Sequence, residues 1–271
     1  MEVANINGIK LEFEITGVGE PVVLIHGGII ADSNLPLITQ PSLRKYQFIH
    51  YHRRGYAGSS NYNSHFGILE EANDCLNLMQ YLGINRAHIL GHSIGGTIAL
   101  QLAIDNPNYV HSLSLLEPAL TGYNSHDNDE VLKEFMPLIK TYEKGNRSKA
   151  IDIFMKATIG SKYRNLIEEI LPSNAFDLAV ADAKTYFYHE IPAMKSWQIN
   201  EEDMKKIMQK PVLYIRGSDS GKRSLERQQM VLKLLPQTKV VVIDKAKHMM
   251  QIANPIDVAR HLANFFARHA M

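Results

Sequence analysis

The sequence predicts an α/β protein in which helices flank a mainly parallel central sheet of about eight strands, with a helical cap inserted between two of them. Three observations lead to this prediction. Short, apolar, β-prone runs recur along the chain, and helical patterns separate most of them, as in repeated βαβ units. This alternation stops between residues 120 and 203, where helical patterns follow one another without a strand. One apolar run also leads through a serine between glycines directly into a helical pattern.

The first two strands are expected to form a hairpin. Asn7-Gly8 is a dipeptide that favours the two-residue turns of β-hairpins. The strand after it alternates, and its apolar residues fall at every second position: Ile9, Leu11, Phe13 and Ile15. This spacing places them on one face of the sheet.

The other strands are predicted from apolar runs at residues 22–25, 47–51, 87–90, 113–116, 212–215 and 240–243. Continuous runs are typical of central parallel strands, which are covered on both faces. Apolar residues from Ile68 to Leu82 instead follow helical spacing, and this pattern stops at Gly83. Cys75 lies on that stripe and is expected to be a buried structural thiol.

The stretch from residue 120 to residue 203 is expected to form the cap, or lid. Its helical patterns cover residues 129–144, 147–159, 163–171 and 174–190. The residues expected to end them are Gly145, Gly160, Pro172 and Pro192. Residues 1–119 and 204–271 then form the α/β core. The cap is rich in large apolar and aromatic residues, so we expect a few of them to line a largely apolar pocket for a small molecule.

Composition excludes several classes of partner. The 29 lysines and arginines nearly match the 28 acidic residues, and no charged run points to nucleic acid or a membrane surface. A single cysteine rules out an internal disulfide. Because neither a signal peptide nor a membrane-spanning apolar run is evident, a cytoplasmic location is expected. The oligomeric state stays open.

Neither a cofactor nor a metal is expected. The glycines at residues 17 and 19 precede a strand, unlike those of a dinucleotide-binding loop, and no phosphate-binding P-loop pattern occurs. His50 and His52 form an H-x-H pair, but no carboxylate or third ligand lies near them in the sequence.

The segment Gly91-His92-Ser93-Ile94-Gly95 carries the most functional information. It is a G-x-S-x-G pattern in its required strand–turn–helix context. The sharp turn projects the Ser93 hydroxyl above the sheet edge, and the helix after it aims N–H groups at the site where an oxyanion would form. Glycine is expected at both ends of the pattern because a β-carbon would collide with the adjoining strand or helix.

With residues 21–28 and 240–248, this motif resembles the α/β-hydrolase fold family, specifically its cap-bearing serine esterase-like branch, over nearly the whole chain. The resemblance implies a catalytic triad in the chain order nucleophile, acid, histidine, with Ser93 as the nucleophile. His248 follows the last apolar strand and is expected to be the base, although Lys247 stands where family members usually have glycine.

The acid has two candidates. Asp219 follows the strand at residues 212–215, where the family places the acid, although Ser220 occupies the usual position. Glu117 follows the strand at residues 113–116, and some relatives supply the acid from that strand end. The sequence favours Asp219 and keeps Glu117 as the alternative.

Backbone N–H groups of Ile94 and Gly28 are expected to form the oxyanion hole. His26 is expected to brace the turn that carries Gly28. Residues 53–59 resemble a family loop that holds neighbouring loops in place.

The resemblance therefore implies a cofactor-independent serine hydrolase that cleaves a small ester, lactone, thioester or similar acyl substrate through an acyl-enzyme. A serine nucleophile disfavours the dehalogenase and epoxide-hydrolase branches, which need a carboxylate nucleophile. Two alternatives stay open. The same triad could cleave a carbon–carbon bond or catalyse cofactor-free perhydrolysis, or the fold could serve as a small-molecule receptor.

Overall fold

An eight-stranded, mostly parallel sheet runs through the centre of the computed structural model, which describes residues 1–60, 65–120 and 125–271 but not the side chains of residues 125–132 and 134. The strands are β1 (Glu2–Ile6), β2 (Ile9–Thr16), β3 (Glu20–Ile25), β4 (Tyr46–Tyr51), β5 (Ala87–His92), β6 (Val110–Leu116), β7 (Val212–Gly217) and β8 (Lys239–Ile243). Their order is β1-β2-β4-β3-β5-β6-β7-β8. Strand β2 pairs antiparallel with β1 and β4, and the other pairs are parallel. The predicted fold class is confirmed.

The β1–β2 hairpin forms where the sequence predicts it. Asn7 and Gly8 both have positive φ angles, of 52° and 79°, as a two-residue type I′ turn requires. Leu11 and Phe13 are buried, while Ile15 near the strand end is exposed. The apolar face of β2 is therefore buried at Leu11 and Phe13 but not at Ile15.

Helices cover both faces of the sheet. They are α1 (Leu35–Ile38), α2 (Ile68–Tyr81), α3 (Ile94–Asp105), α4 (Ser125–Glu143), α5 (Arg147–Thr158), α6 (Tyr163–Ile170), α7 (Ala175–Thr185), α8 (Ile191–Ser196), α9 (Glu201–Lys205), α10 (Lys222–Leu234), α11 (Met250–Ala253) and α12 (Pro255–Arg268). Val23 and Ile25 of β3 pack into one hydrophobic cluster with α2 and α3, whereas Val22 and Leu24 pack into a second cluster with α12. A strand covered on both faces needs apolar residues at every position, which explains the continuous run.

The helical insertion lies between β6 and β7. Within the described residues it contains the six helices α4–α9, and a π-helical turn at Tyr186–Glu190 follows α7. The sequence predicts four of these helices and misses α8 and α9. The sequence predicts that Pro192 ends the last helical pattern, but Pro192 lies in the first turn of α8, where the missing N–H costs no helical hydrogen bond. The division into core and cap stays a prediction, and residues 121–124 of the predicted cap lie outside the described residues.

None of the described helices is both long enough and apolar enough to cross a membrane. The predicted cytoplasmic location stays a prediction. Cys75 is fully buried on α2, as expected for a structural thiol.

Candidate active site

Ser93 occupies a strained turn between β5 and α3. Its backbone has φ 53° and ψ −123°, a conformation that residues other than glycine rarely adopt. A β-carbon on Gly91 would collide with the carbonyl oxygen of Gly95, and one on Gly95 would collide with the carbonyl oxygen of Ile25. The structure thus confirms the reason for both glycines. The turn stays sharp because the backbone of α3 packs directly against β5 and β3.

Ser93 and His248 line the same cavity, which has a volume of about 570 Å³. Both side chains are half-buried. His248 lies in the loop between β8 and α11, and the loop is tied to the insertion because Met249 N–H donates to the carbonyl oxygen of Thr158 at 3.1 Å. Ser93 and His248, which are far apart in the sequence, therefore lie at the same cavity.

Glu117, and not Asp219, contacts the histidine. His248 Nδ1 lies 2.8 Å from Glu117 Oε2, and the Gly217 N–H donates to Glu117 Oε1 at 2.9 Å. Glu117 is only 2% exposed. Burial alone raises its pKa, but the hydrogen bond from His248 and the charge of that imidazole lower it to about 2. The carboxylate is therefore ionised and fixes the Nδ1–H tautomer of His248, which leaves Nε2 as the proton acceptor.

The prediction that Asp219 orients the histidine is wrong. Asp219 is exposed, and its carboxylate accepts a hydrogen bond from the Ser218 hydroxyl at 2.8 Å. Its N–H donates to the carbonyl oxygen of Ala246 at 2.9 Å. Asp219 is thus held as a turn residue of the loop after β7, which is the turn-forming role that short Asp side chains commonly have.

Glu117 reaches the histidine because of the sheet order. It follows β6, which lies between β5 with Ser93 and β7 with Gly217. Its φ of 41° turns the backbone out of the strand direction. Ser220, at the usual acid position, lines the cavity and helps to lower the pKa of Glu117. The earlier strand end therefore brings a carboxylate to His248, whereas Ser220 occupies the usual acid position.

His92 is a site residue that the sequence argument did not single out. Its ring packs against that of His248 with centroids 4.8 Å apart, and its Nε2 donates to the His248 carbonyl oxygen at 3.0 Å. The side chain is fully buried beside Gly27. His92 thus holds the loop that carries His248. Its place directly before the serine in the G-x-S-x-G pattern was the available signal.

Of the two predicted oxyanion donors, Gly28 lies in the cavity wall, and Ile94 directly follows the cavity-lining Ser93. Gly28 lines it, and a β-carbon there would collide with the ring of Tyr186 from the insertion. Ile94 begins α3, and the first N–H groups of a helix have no partner within the helix. Their use as an oxyanion hole stays a prediction.

Hydrogen bonds between His26 and Arg53 hold the loop that carries Gly28 in place, as predicted for His26. The Arg53 N–H donates to His26 Nε2, and the Arg53 guanidinium donates to the carbonyl oxygens of His26 and Gly27, all at 3.0 Å. Arg53 also forms ion pairs at 2.6 Å with Glu71 and with Glu190 of the insertion. This fully buried guanidinium joins the loop that carries Gly28, α2 and the insertion.

The structure brings a carboxylate to the His50 and His52 pair. Asp32 Oδ1 lies 3.2 Å from His50 Nε2 and 2.8 Å from His52 Nε2. These three buried groups have a donor set that a divalent metal could use. They also belong to a hydrogen-bond network that continues from His52 Nδ1 to Glu12 at 2.7 Å. Burial lowers the pKa of His52, but its hydrogen bonds to Asp32 and Glu12 produce a net rise.

Acid is expected to destabilise the protein through His92. Burial, and next the nearby charge of His248, lower the pKa of His92 from 6.5 to about 3. The unfolded chain takes up this proton below about pH 6.5 and the folded chain does not, so stability is lost as the pH falls from 6.5 towards 3. At pH 5 the loss from this residue is about 2 kcal/mol.

Urea unfolding of the wild type and of His92→Gln at pH 7.5 and pH 5 measures this effect. Glutamine at position 92 cannot ionise. Between the two pH values, the free energy of unfolding of the variant should therefore fall by about 2 kcal/mol less than that of the wild type. An equal fall in both proteins would contradict the prediction.

Comparison with known proteins agrees with the fold. The model of the α/β hydrolase fold family matches residues 21–255. A Haemophilus influenzae protein provisionally named an esterase/lipase is 22% identical over 254 residues, covering 93% of this chain and 85% of the relative. The enol-lactonase of Burkholderia xenovorans LB400 has a TM-score of 0.79 at 17% identity, covering 98% of this chain and 100% of its own. An esterase of Exiguobacterium antarcticum has a TM-score of 0.79 at 18% identity, covering 98% of both chains.

These matches, with the nucleophile-elbow geometry of Ser93, define the class of protein. The chain belongs to the α/β hydrolase fold family and is an enzyme of that family, whose matched members are named esterases, lipases and hydrolases. The resemblance inferred from the sequence is confirmed.

Proposed function

We propose that the protein is a serine hydrolase of small acyl substrates, in which Ser93 is the nucleophile, His248 the general base and Glu117 the acid that orients it. The observation that carries this proposal is the buried Glu117–His248 hydrogen bond of 2.8 Å beside a cavity that Ser93 also lines. A serine hydroxyl needs an oriented base to act as a nucleophile at neutral pH, and this pair supplies one.

The proposed reaction follows from the positions of these groups. Ser93 Oγ attacks the substrate carbonyl carbon while His248 Nε2 takes the hydroxyl proton. The N–H groups of Ile94 and Gly28 donate to the resulting oxyanion. His248 then returns the proton to the leaving group, and the bond to that group breaks to leave an acyl-enzyme. Water repeats the sequence with His248 as base, which releases the acid product and restores Ser93.

The helical insertion is proposed as a cap that selects the acyl group. Phe135, Phe154, Tyr186 and Met194 of the insertion line the cavity above Ser93. The insertion is fastened to the core at several points: Thr185 donates to the Gly55 carbonyl oxygen at 2.8 Å, and Trp197 donates to Gln101 at 2.7 Å. A cavity of about 570 Å³ fits a small molecule and not a polymer.

Covalent labelling tests the proposal most directly. A fluorophosphonate probe reacts with activated serines, so intact-mass analysis should show one adduct, and peptide mapping should assign it to Ser93. Hydrolysis of a panel of p-nitrophenyl esters of graded acyl length should accompany the labelling. No adduct on Ser93 in the folded protein would overturn the proposal. Labelling without ester hydrolysis would favour carbon–carbon bond cleavage or perhydrolysis, and ligand binding without either would favour a receptor.

Truncating an aromatic residue of the cavity wall should change the acyl-length preference. Phe135→Ala removes a ring that packs on Tyr186 at a centroid distance of 5.6 Å. The space left by the ring would accommodate more methylene groups of a long acyl chain, and each buried methylene contributes to binding in an apolar pocket. We therefore expect the ratio of kcat/KM for octanoyl over acetyl esters to rise by about 10-fold.

Phe176→Ala is the matched control for Phe135→Ala. Phe176 is also half-buried in the insertion, but it stacks on Tyr163 and is not among the cavity-lining residues of the described chain. Equal acyl profiles in both variants, with only thermal stability lowered, would show that the insertion does not select the substrate.

A further inference from the structure

An arginine occupies the inward face of α10 beside the catalytic cavity. The buried residues of this helix are Ser224, Val231 and Leu234, and Arg227 lies at the same helical spacing, three residues after Ser224 and four before Val231. Arg227 is half-buried and lines the cavity together with Ser93 and His248. A helix position of this kind normally carries a small or apolar residue, so a cation here needs a physical reason.

The described part of the chain provides no ion-pair partner for the Arg227 guanidinium. The carboxylate that acts on it electrostatically is Glu117, whose two oxygens already accept hydrogen bonds from His248 and Gly217. Glu226 also lines the cavity, but its carboxylate pairs with Lys222 at 3.3 Å. Arg223 adds a like charge, and Tyr214 and Tyr186 contribute only neutral hydroxyls.

The energetic balance at Arg227 is unfavourable without a ligand. Burial is the largest influence and lowers the pKa of Arg227, which means that the surroundings do not compensate for the lost hydration of the guanidinium. An uncompensated cation in a wall of a cavity is costly for the fold. An anion that enters the cavity would remove this cost and gain charge-assisted hydrogen bonds.

We propose that Arg227 is an anion subsite of the catalytic cavity, and that the substrate is an ester or lactone that carries a carboxylate group. Anion binding by Arg227 does not depend on the proposed function. The assignment of the carboxylate to the same molecule that Ser93 attacks does rest on it. A planar guanidinium binds a carboxylate through two parallel N–H···O bonds, and one guanidinium matches one negative charge. The apolar walls from the insertion would hold the carbon skeleton between the carboxylate and the reacting carbonyl.

Chromogenic esters of matched length test this selectivity. p-Nitrophenyl hemisuccinate carries a free carboxylate, and its methyl ester is the neutral counterpart. In Arg227→Gln, the ratio of kcat/KM for the anionic over the neutral ester should fall roughly 10- to 100-fold, mostly through KM, as expected for losing charge-assisted hydrogen bonds. Arg227→Lys should retain part of the ratio because the charge remains without the bidentate geometry.

Arg260→Gln is the matched control. Arg260 is an exposed arginine on α12, paired with Asp257, and its loss changes the net charge by the same amount outside the cavity. The ester ratio should not change in this variant. An equal fall for both esters in Arg227→Gln would overturn the subsite and indicate that Arg227 instead supports Glu117. A wild-type enzyme with no preference for the anionic ester would overturn it as well.

A binding experiment separates failure of the subsite from failure of the proposed function. Calorimetric titration of Ser93→Ala with monomethyl succinate requires no turnover. The Ser93→Ala, Arg227→Gln double variant should bind it at least 10-fold more weakly, and dimethyl succinate should bind both proteins alike. Unchanged affinity in the double variant would overturn the subsite. Discrimination in binding, with neither chromogenic ester hydrolysed by the wild type, would support the subsite and reject the hydrolase proposal.

Discussion

Replacing Glu117 with glutamine is expected to lower kcat for ester hydrolysis by roughly three to four orders of magnitude. A glutamine side chain has the same shape but no charge. It can still accept the Gly217 N–H, but its amide group presents a donor to His248 and favours the tautomer in which Nδ1 is unprotonated. Nε2 then carries the proton and cannot take another from Ser93. The imidazolium that forms during the reaction also loses its buried counter-ion.

Asp219→Asn is the control for this experiment, because Asp219 is the acid that the sequence favours. Its exposed carboxylate accepts only from Ser218 among the hydrogen bonds of the described chain. We expect kcat within a few-fold of the wild type. Steady-state kinetics should be compared only between variants whose circular dichroism and thermal midpoints show a native fold. A larger loss in Asp219→Asn than in Glu117→Gln would return the acid role to Asp219.

Replacing Ser93 with alanine should abolish turnover, with a loss of several orders of magnitude in kcat and of all fluorophosphonate labelling. The residual rate would come from the oxyanion donors and from substrate binding alone. Folding should be little affected, because the half-buried hydroxyl contributes little packing and alanine has the same β-carbon in the strained turn.

Ser220→Ala is the matched control for the serine, since Ser220 lines the same cavity. It should keep the probe adduct on Ser93, and its kcat should stay within about 10-fold of the wild type because the Glu117–His248 hydrogen bond remains. Hydrolysis by Ser93→Ala near the wild-type rate would show that Ser93 is not the nucleophile. Loss of labelling in Ser220→Ala, with the fold intact, would place the reactive hydroxyl elsewhere in the cavity.

The sequence by itself determined those features that depend on neighbouring residues. A continuous apolar run predicts β3, because a parallel strand that is covered on both faces buries its side chains on both faces. The Asn7-Gly8 turn and the glycines around Ser93 follow from backbone angles and close approaches that few residues tolerate. The Pro192 error has the same local origin, since a proline marks a helix start as well as a helix end.

Only the tertiary structure decided which distant groups meet. Glu117 and His248 are separated by 131 residues, and their pairing depends on the order of β5, β6 and β7, on the backbone turn at Glu117 and on the reach of its side chain. Asp219 does not pair with His248, and its exposed carboxylate instead accepts a local hydrogen bond from Ser218. Asp32 reaches His50 and His52 in the same non-local way. Sequence periodicity reports which face of an element is buried, whereas the contacts between strand-end loops depend on chain direction and side-chain length, which periodicity does not encode.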